Sequence, residues 1–370
     1  MFIKILKFFF NLNIITNQKN PILLFPGLGG SRLIMNEINN IKTSTNIKTP
    51  TNIKTTTNIK ITTNINSIDI WPPKLKYYLF NYKKWLNNTI VKFDGYNFIY
   101  NLNVKTLEFG DLNALDLHSN IPYIIKKNFY DNIINSNHDV FPMPYDFRLL
   151  HNKKYVNNLN LKIKKYIESF DKPVTLLTHS CGGLVVHYFL SKQNMIWKCK
   201  HINKVIYVNV PFGSLIKSLE NLITKTPLQY FMNKELIKSL GGIIINLPNN
   251  KIIKPILIVN NKEIDNYYMF FNLLDLEKII KENNEIINSF SKSNNVKTIL
   301  VYTSNVPTSS IININNNKIN IIKGPGDGTV PLVSLLHPLT WKHHDLEIIH
   351  LPNYEHSSIL FSKELINLLN

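Results

Sequence analysis

A strand-like apolar run that ends at a serine between small residues constrains the fold of this chain most. Residues 174–177 read Val-Thr-Leu-Leu and predict a buried strand, and residues 178–183 read Thr-His-Ser-Cys-Gly-Gly before another apolar, helical segment. A serine that presents its hydroxyl on a sharp turn between a strand and a helix needs small residues two positions before and after it. Gly182 meets this need, whereas Thr178 stands where Gly or Ala is usual. We interpret Ser180 as a nucleophile; the alternative is a serine that lies by chance in a strand-to-helix loop.

Apolar runs and helical patterns alternate along most of the chain. Positions 156, 159, 163, 167 and 170 are apolar at helical spacing, and a last helical segment is predicted over residues 359–369. Strands with both faces apolar, separated by helices, indicate an α/β fold whose mostly parallel central sheet is covered by helices on both faces. The strands are predicted at residues 22–25, 174–177, 205–208, 298–302 and 346–349.

Changes in this alternation suggest the domain boundaries. Residues 1–20 are a lead-in, residues 21–213 hold the first part of the sheet domain, and residues 296–370 hold the second part. Asn-rich helical patches at residues 214–295 interrupt the alternation and predict an inserted cap or lid. Further cap elements are expected at about residues 71–140.

A short repeat precedes these cap elements. An Asn-Ile-Lys motif recurs every six residues from Asn40, with threonines between the copies. A six-residue period can indicate a β-helix, but about five short turns with lysine inside would bury too little surface for one. We therefore predict a solvated low-complexity insertion over residues 38–67.

The chain is strongly basic, with a net charge of +18. Nucleic acid and anionic lipid headgroups would both suit this charge. The lysines are scattered, and no zinc-finger, RNA-recognition or basic-helix pattern occurs, so we expect no specific nucleic-acid partner. The remaining interpretations are an anionic membrane surface, or a nucleotide bias in the gene that enriches Lys and Asn without a binding role.

The cysteines and the N-terminus bear on location. Cys181 and Cys199 are the only two cysteines and cannot build a multi-disulfide framework, which favours a reducing compartment over secretion. Residues 1–10 mix lysine with Phe and Ile over a stretch well short of the roughly 20 apolar residues of a spanning helix. They suit a weak signal sequence, an amphipathic anchor or a simple lead-in. We expect peripheral association with a membrane.

A nucleophilic serine also needs two backbone N–H donors aimed at the oxyanion that develops in the transition state. Cys181 directly follows the serine at the start of a helix, so its N–H is the first candidate. The turn Pro-Gly-Leu-Gly-Gly at residues 26–30 follows the first strand, and the N–H of Leu28 is the second candidate. Gly27 and Gly182 are expected to support the site. The alternative for residues 26–30 is a glycine-rich turn without a catalytic role.

The base and the acid should follow the serine in the order Asp or Glu, then His. His356 lies after the last strand and before the terminal helical segment, and Asp327 lies in the glycine-rich turn at residues 324–331. Such an aspartate can hold an imidazole in the required tautomer, whereas an Asp that only builds a turn is the alternative. Asp345 and Glu355 are weaker candidates for the acid. His201 and His337 also follow the serine and are candidates by their order alone. Five other histidines are predicted to be packed, hydrogen-bonded or solvated: His179, His187, His343, His344 and His350.

Several segments resemble, in the same order, the lecithin:cholesterol acyltransferase family. The resemblance covers nearly the whole chain apart from residues 33–70, and it implies an α/β-hydrolase fold with a cap and a lid. It implies that a serine cleaves a glycerophospholipid acyl ester and passes the acyl group to a hydroxyl acceptor or to water, with no cofactor or metal. The matching segments are residues 21–31, 144–149, 179–180, 209–214, 326–331 and 355–356.

The resemblance also assigns roles to single residues. Ser180, Asp327 and His356 match the catalytic triad of the family, and Leu28 and Cys181 match its oxyanion donors.

A further motif and one departure follow from the same comparison. Residues 145–148 read Tyr-Asp-Phe-Arg where the family usually has Trp in the third place, and we interpret Asp146 and Arg148 as a structural ion pair that braces the site. The disulfide-closed, membrane-contacting loop of the family is replaced by the lysine repeat. Two alternatives stay open: a neutral-lipid lipase or esterase without transferase activity, and a non-catalytic lipid-binding protein on a hydrolase scaffold.

Overall fold

The central element is a parallel sheet of six strands. A computed structural model of the chain describes residues 19–44, 59–122, 125–225, 232–342 and 345–369. The sheet has the order β15-β12-β9-β8-β1-β7, and each pair of neighbours runs parallel. The carboxyl ends of all six strands therefore lie along one edge. The strands are β1 (Ile22–Phe25), β7 (Val140–Pro142), β8 (Val174–His179), β9 (Ile202–Val208), β12 (Thr298–Tyr302) and β15 (Leu346–His350).

Both faces of the inner strands are buried, as their continuous apolar runs predict, whereas the edge strand β15 is largely exposed. In β1, Leu23 and Phe25 belong to one apolar cluster, and Ile22 and Leu24 belong to a second cluster on the opposite face. Each fully buried aliphatic side chain contributes about 1.5–3 kcal/mol relative to its exposed state. The larger helices of the α/β core are Lys153–Ile167, Cys181–Ser191 and Met195–His201. The predicted α/β class is confirmed.

The chain ends in two short elements rather than one helix. A 3-10 turn covers Ser358–Phe361 and an α-helix covers Lys363–Asn367, and the side chain of Ser362 caps this helix through a bond from the N–H of Leu365. The continuous helical pattern over 359–369 is therefore broken at a serine that serves as an N-cap.

The ends of the lysine repeat are paired as long strands. β2 (Leu33–Ser44) and β3 (Ile59–Trp71) form an antiparallel ladder, to which β6 (Val104–Thr106) adds on the other side of β2. The sequence analysis predicted a solvated low-complexity insertion over residues 38–67 and assigned no strand to it. Residues 38–44 and 59–67 of this segment instead have the regular backbone pairing of a β-ladder. The middle of the repeat, residues 45–58, lies outside the described residues.

The segment between β3 and β7 contains short elements. Two helices, Leu75–Phe80 and Tyr82–Thr89, precede a small hairpin of β4 (Lys92–Phe93) and β5 (Phe98–Ile99). The 3-10 turn Leu112–Leu115 and the helix Asp131–Ile134 follow, and the 3-10 turn Phe147–Leu149 comes after β7.

The segment between β9 and β12 is mainly helical and supplies part of a second sheet. This four-stranded sheet has the order β11-β10-β13-β14, with strands β10 (Leu257–Val259), β11 (Lys262–Glu263), β13 (Thr308–Asn315) and β14 (Lys318–Gly324). No helix among the described residues has both the length and the apolar character to cross a membrane. Among its described residues, the helices of this segment are Ile216–Ile223, Lys234–Ser239, Gly241–Ile244, Tyr267–Phe270, Leu274–Glu282 and Asn284–Ser289. Helix Leu332–Leu335 and the 3-10 turn His337–Thr340 lie between β14 and β15.

Candidate active site

Ser180 lies on a strained turn between β8 and the helix Cys181–Ser191. Its backbone has φ 52° and ψ −129°, a conformation that L-residues rarely adopt outside functional sites. A Cβ on Gly182 would lie 2.4 Å from the carbonyl oxygen of Pro26, so only glycine fits there. Thr178, the departure from the usual pattern, is fully buried and its hydroxyl donates to the carbonyl of Ile206 at 3.2 Å. The larger residue is therefore accommodated by a hydrogen bond to the neighbouring strand.

Ser180, His356 and Asp327 form a continuous line of hydrogen bonds. The distance from Ser180 Oγ to His356 Nε2 is 2.8 Å, and that from His356 Nδ1 to Asp327 Oδ2 is 2.7 Å. Since a carboxylate only accepts, Nδ1 carries the ring proton and Nε2 is free to accept the proton of the serine. The structure thus brings together the three residues that the sequence analysis predicted as a triad, and their catalytic roles stay a prediction.

The carboxylate of Asp327 is fixed from both sides. Its Oδ1 accepts from the backbone N–H groups of Thr329 at 2.9 Å and Val330 at 2.6 Å, and its side chain is 0% exposed. The backbone N–H of His356 also donates to the carbonyl of Asp327 at 2.8 Å. The base and the acid are therefore joined through both their side chains and their main chains.

The residues that carry the two predicted oxyanion donors line the same cavity. Because β1 pairs with β8 in parallel, the loop after Phe25 lies beside the serine turn. A Cβ on Gly27 would lie 3.1 Å from the Cβ of Ser180, so the loop approaches the serine closely. Leu28 and Cys181 both line a cavity of about 230 Å³ that also contains His356. The arrangement can hold a carbonyl carbon near the serine, and the donor roles stay a prediction.

Asp146 and Arg148 form the predicted ion pair. Arg148 Nη2 lies 2.7 Å from Asp146 Oδ2, and Nε donates to Oδ1 at 2.9 Å, so the pair is bidentate and buried. Arg148 Nη1 also donates to the carbonyl of Asn88, at the end of the helix Tyr82–Thr89. Neither residue lines the cavity, so the pair ties the loop after β7 to that helix.

Neither competing acid is hydrogen-bonded to the triad through its side chain, although Glu355 directly precedes His356. Asp345 and Glu355 are exposed. His350 Nε2 lies 2.7 Å from Ser304 Oγ, so the predicted hydrogen bond is present. The residue is exposed rather than part of the core, because β15 is an edge strand. His187 is buried and packed, whereas His343 and His344 lie outside the described residues.

The two cysteines are free thiols. Cys199 is exposed, and Cys181 is buried beside the serine. Burial raises the pKa of the Cys181 thiol to about 12, so it stays protonated and does not compete as a nucleophile. In the described part of the chain, no three His, Cys, Asp or Glu residues come together as a metal site.

Buried polar residues that the sequence analysis did not predict for the site also contact it. Asn209 follows β9, and its Nδ2 donates to the carbonyl of His356 at 3.2 Å. His179, predicted as structural, and Tyr130 lie against the same loops. Asn209 could have been suspected, because it follows a strand at the edge of the sheet where the serine lies. Tyr130 carries no such signal, because it lies in an irregular stretch that does not match any motif.

Comparisons with known proteins agree on a family. The family model described as lecithin:cholesterol acyltransferase matches residues 118–317, more than half of the chain. "Lysosomal phospholipase A and acyltransferase" of Mus musculus is 26% identical over 248 residues, and "Phosphatidylcholine-sterol acyltransferase" of Gallus gallus is 35% identical over 81 residues. The first match covers 60% of this chain and 59% of the relative, and the second covers 21% and 20%. The chain thus spans less than two thirds of the length of these relatives.

A solved structure shows the same fold. A chain in the structure described as "The crystal structure of Tle4-Tli4 complex" aligns with a TM-score of 0.51 over 93% of this chain and 95% of that chain. At 11% identity this likeness shows a shared fold alone. A parallel sheet with a strained serine turn after one of its central strands is the α/β-hydrolase fold, so that prediction is confirmed.

Proposed function

This chain belongs to the lecithin:cholesterol acyltransferase family, and on that premise we propose that it cleaves a fatty-acyl ester of a glycerophospholipid and passes the acyl group to a hydroxyl acceptor or to water. The observation that carries the proposal is the line of hydrogen bonds from Ser180 through His356 to Asp327, at the wall of a cavity that holds two candidate oxyanion donors. This arrangement suits acyl transfer through a covalent intermediate.

In the first half of the reaction, Ser180 Oγ attacks the ester carbonyl carbon while His356 Nε2 takes its proton. Asp327 stabilises the resulting imidazolium, and the N–H groups of Leu28 and Cys181 donate to the oxyanion. When the tetrahedral intermediate collapses, the ester C–O bond breaks, and His356 gives its proton to the departing lysophospholipid oxygen. The acyl group is left on Ser180.

In the second half, an alcohol or water attacks the acyl-enzyme. His356 Nε2 takes the acceptor proton, the new C–O bond forms, and the bond to Ser180 Oγ breaks as His356 returns the proton to it. No cofactor takes part in either half.

The lining of the cavity supports the proposal that the transferred acyl group is apolar. Besides the nucleophile, the cavity walls include apolar side chains, and these suit a fatty chain better than a polar substrate. They come from the oxyanion loop, from the segment before β7 and from the segment after β9: Leu28, Leu117, Phe129 and Leu215.

Product analysis tests the proposal. The purified protein would be incubated with phosphatidylcholine vesicles with and without a long-chain alcohol, and lysophospholipid, fatty acid and alkyl ester would be measured. We expect lysophospholipid in both cases, with alkyl ester appearing only when the alcohol is present. Fatty acid without alkyl ester would make the protein a phospholipase, and the absence of lysophospholipid from neutral and anionic vesicles alike would overturn the proposal.

We further propose that the helix Leu75–Phe80 contacts an anionic membrane surface. Its side chains of Leu79 and Phe80 are 61% and 78% exposed, and none of its residues is buried. Lys74, Lys76 and Lys83 lie within or beside this segment, and the chain as a whole carries +18. Exposed apolar side chains among basic residues are typical of a helix that lies in a membrane interface.

Both cysteines are unpaired, which supports a reducing compartment over secretion.

The double change Leu79→Ser and Phe80→Ser should weaken binding to phosphatidylserine-containing vesicles by at least about tenfold, since a buried apolar side chain contributes about 1.5–3 kcal/mol. Vesicle co-sedimentation measures the effect, and hydrolysis of soluble p-nitrophenyl butyrate should stay unchanged. The matched control is Leu161→Ser with Ile196→Ser, which removes two other exposed apolar side chains, 67% and 84% exposed. Equal loss of binding in the two double variants would contradict a specific role for this helix.

A further inference from the structure

Two buried side chains, Tyr130 and His179, connect the loop after β1 to the loop that carries His356. The N–H of Gly27 donates to Tyr130 Oη at 2.7 Å, and Tyr130 Oη lies 3.1 Å from His179 Nδ1. His179 Nε2 lies 3.0 Å from the carbonyl oxygen of His356. One continuous chain of hydrogen bonds therefore joins the two loops, and its side chains form part of the cavity wall.

Each proton in this chain has one possible position. The carbonyl of His356 only accepts, so His179 Nε2 must carry the ring proton. Burial lowers the pKa of His179 to about 3, so the ring is neutral and its Nδ1 accepts from the hydroxyl of Tyr130. Tyr130 Oη in turn accepts from the N–H of Gly27. Since burial also raises the pKa of Tyr130, its hydroxyl stays protonated, and the chain keeps this direction at any working pH.

One end of this chain of hydrogen bonds holds the main chain of the base, His356. The main-chain carbonyl of His356 accepts from His179 and from Asn209, and its main-chain N–H donates to Asp327. With Nδ1 bound to the carboxylate, each of these groups of His356 is held, and Nε2 is left for Ser180. A shift of this carbonyl would move the base relative to the serine.

The other end holds the oxyanion loop. Gly27 directly precedes Leu28, so the bond to Tyr130 helps to orient the peptides on which the second donor lies. The fit is close: a Cβ on Gly27 would lie 3.0 Å from His179 Nδ1 and 3.1 Å from the Cβ of Ser180. The same histidine ring thus contacts both the oxyanion loop and the main chain of the base.

We propose that Tyr130 and His179 are positioning residues that hold the donor of Leu28 and the base His356 in register with Ser180. The inference rests on the proposed acyl-transfer site but does not depend on the identity of the lipid. A displacement of about 1 Å at a reacting group can lower a rate by about 100-fold, so loss of either end of the chain should reduce the chemical step rather than substrate binding.

The test is the rate at which a fluorophosphonate modifies Ser180, a reaction in which the P–O bond forms, fluoride leaves and His356 takes the serine proton. Tyr130→Phe and His179→Ala should each lower this rate, and kcat for p-nitrophenyl butyrate, by about 10- to 100-fold with KM within about twofold. His179→Gln keeps an N–H near the position of Nε2 and should recover part of the loss. His179→Asn keeps an acceptor for Tyr130 but cannot reach the carbonyl of His356, so it should recover less.

The protein contains a matched control for the Tyr130 and His179 variants. Tyr207 and His187 form a second buried pair, with Oη and Nδ1 3.0 Å apart, and His187 Nε2 lies 2.9 Å from the carbonyl oxygen of Lys292. Burial also lowers the pKa of His187, to about 4, and neither residue lines the cavity. Tyr207→Phe and His187→Ala remove the same chemistry from an equally buried place, so any general effect on folding should show in their thermal unfolding as well.

Labelling of Ser180 per folded molecule that falls for the Tyr130 and His179 variants, but not for the Tyr207 and His187 variants, supports the proposal. Equal rates in the two sets overturn it, and so does a loss that only follows the folded fraction. A wild-type chain that is labelled but makes no lipid product contradicts the lipid substrate and leaves the positioning test readable. A wild-type Ser180 that is not labelled at all overturns both proposals.

Discussion

Replacement of Ser180 by alanine should lower phospholipid turnover about 10⁶-fold, as expected when the nucleophile of such a triad is removed. The loss should be this large because His356 and Asp327 then have no hydroxyl to activate, and only binding and the oxyanion donors remain. The fold should persist, because alanine keeps the Cβ, and the positive φ of 52° is about as unfavourable for alanine as for serine. Release of lysophospholipid measures activity, and thermal unfolding measures the fold.

Ser357 provides the matched control for this experiment. It lines the same cavity and follows His356 directly, but its side chain is not part of the hydrogen-bonded line. Ser357→Ala should keep activity within about threefold, in the range of a small change away from the reacting atoms. Turnover that survives in Ser180→Ala, or that is lost in Ser357→Ala instead, would mean that Ser180 is not the nucleophile.

All the strands of the central sheet except β7, and the meeting of Ser180, His356 and Asp327, could be predicted because the sequence states their requirements locally. A strand buried on both faces must be a continuous apolar run, and β1 and β12 have the bounds that their runs predict. The serine turn needs glycine where Gly182 lies, since any side chain would meet the main chain of Pro26. Such requirements hold whatever the rest of the chain does, so single motifs were sufficient.

Features that depend on partners distant in sequence could not be predicted in this way. The outer part of the β2–β3 ladder is built from the polar, low-complexity repeat, and its backbone pairing does not follow from an apolar pattern. The pairing of β10 with β13 joins residues that are 55 positions apart, such as Leu257 and Ile312, which no local period reveals.

The same reason explains why the supporting residues of the site were missed. Tyr130 and His179 are 49 positions apart, and His179 and His356 are 177 positions apart, so their contacts arise only once the sheet has formed. The sequence analysis predicted a packed or structural role for His179, which directly precedes the serine. Its role can be proposed only from the groups that its two ring nitrogens face.

Replacement of Asp327 by asparagine should lower kcat by about 10⁴-fold, the loss expected when the base is held in the wrong tautomer. The direction of the amide is set by the structure. The N–H groups of Thr329 and Val330 both point at Oδ1, so the amide oxygen must take that place and the NH₂ group must face His356 Nδ1. An NH₂ group there donates, which forces the ring proton onto Nε2. His356 could then no longer accept the proton of Ser180.

Two controls separate this effect from a general loss of negative charge. Asp345→Asn and Glu355→Gln remove the exposed carboxylates that the sequence offered as alternatives for the acid, and neither should change kcat by more than about threefold. In Asp327→Asn the shape of the buried side chain is kept, so vesicle binding should stay at the wild-type level while phosphonylation of Ser180 falls together with kcat. If Asp327→Asn retains the wild-type kcat, Asp327 only builds its turn. A loss of kcat in Glu355→Gln of the same size would move the acid to the residue next to the base.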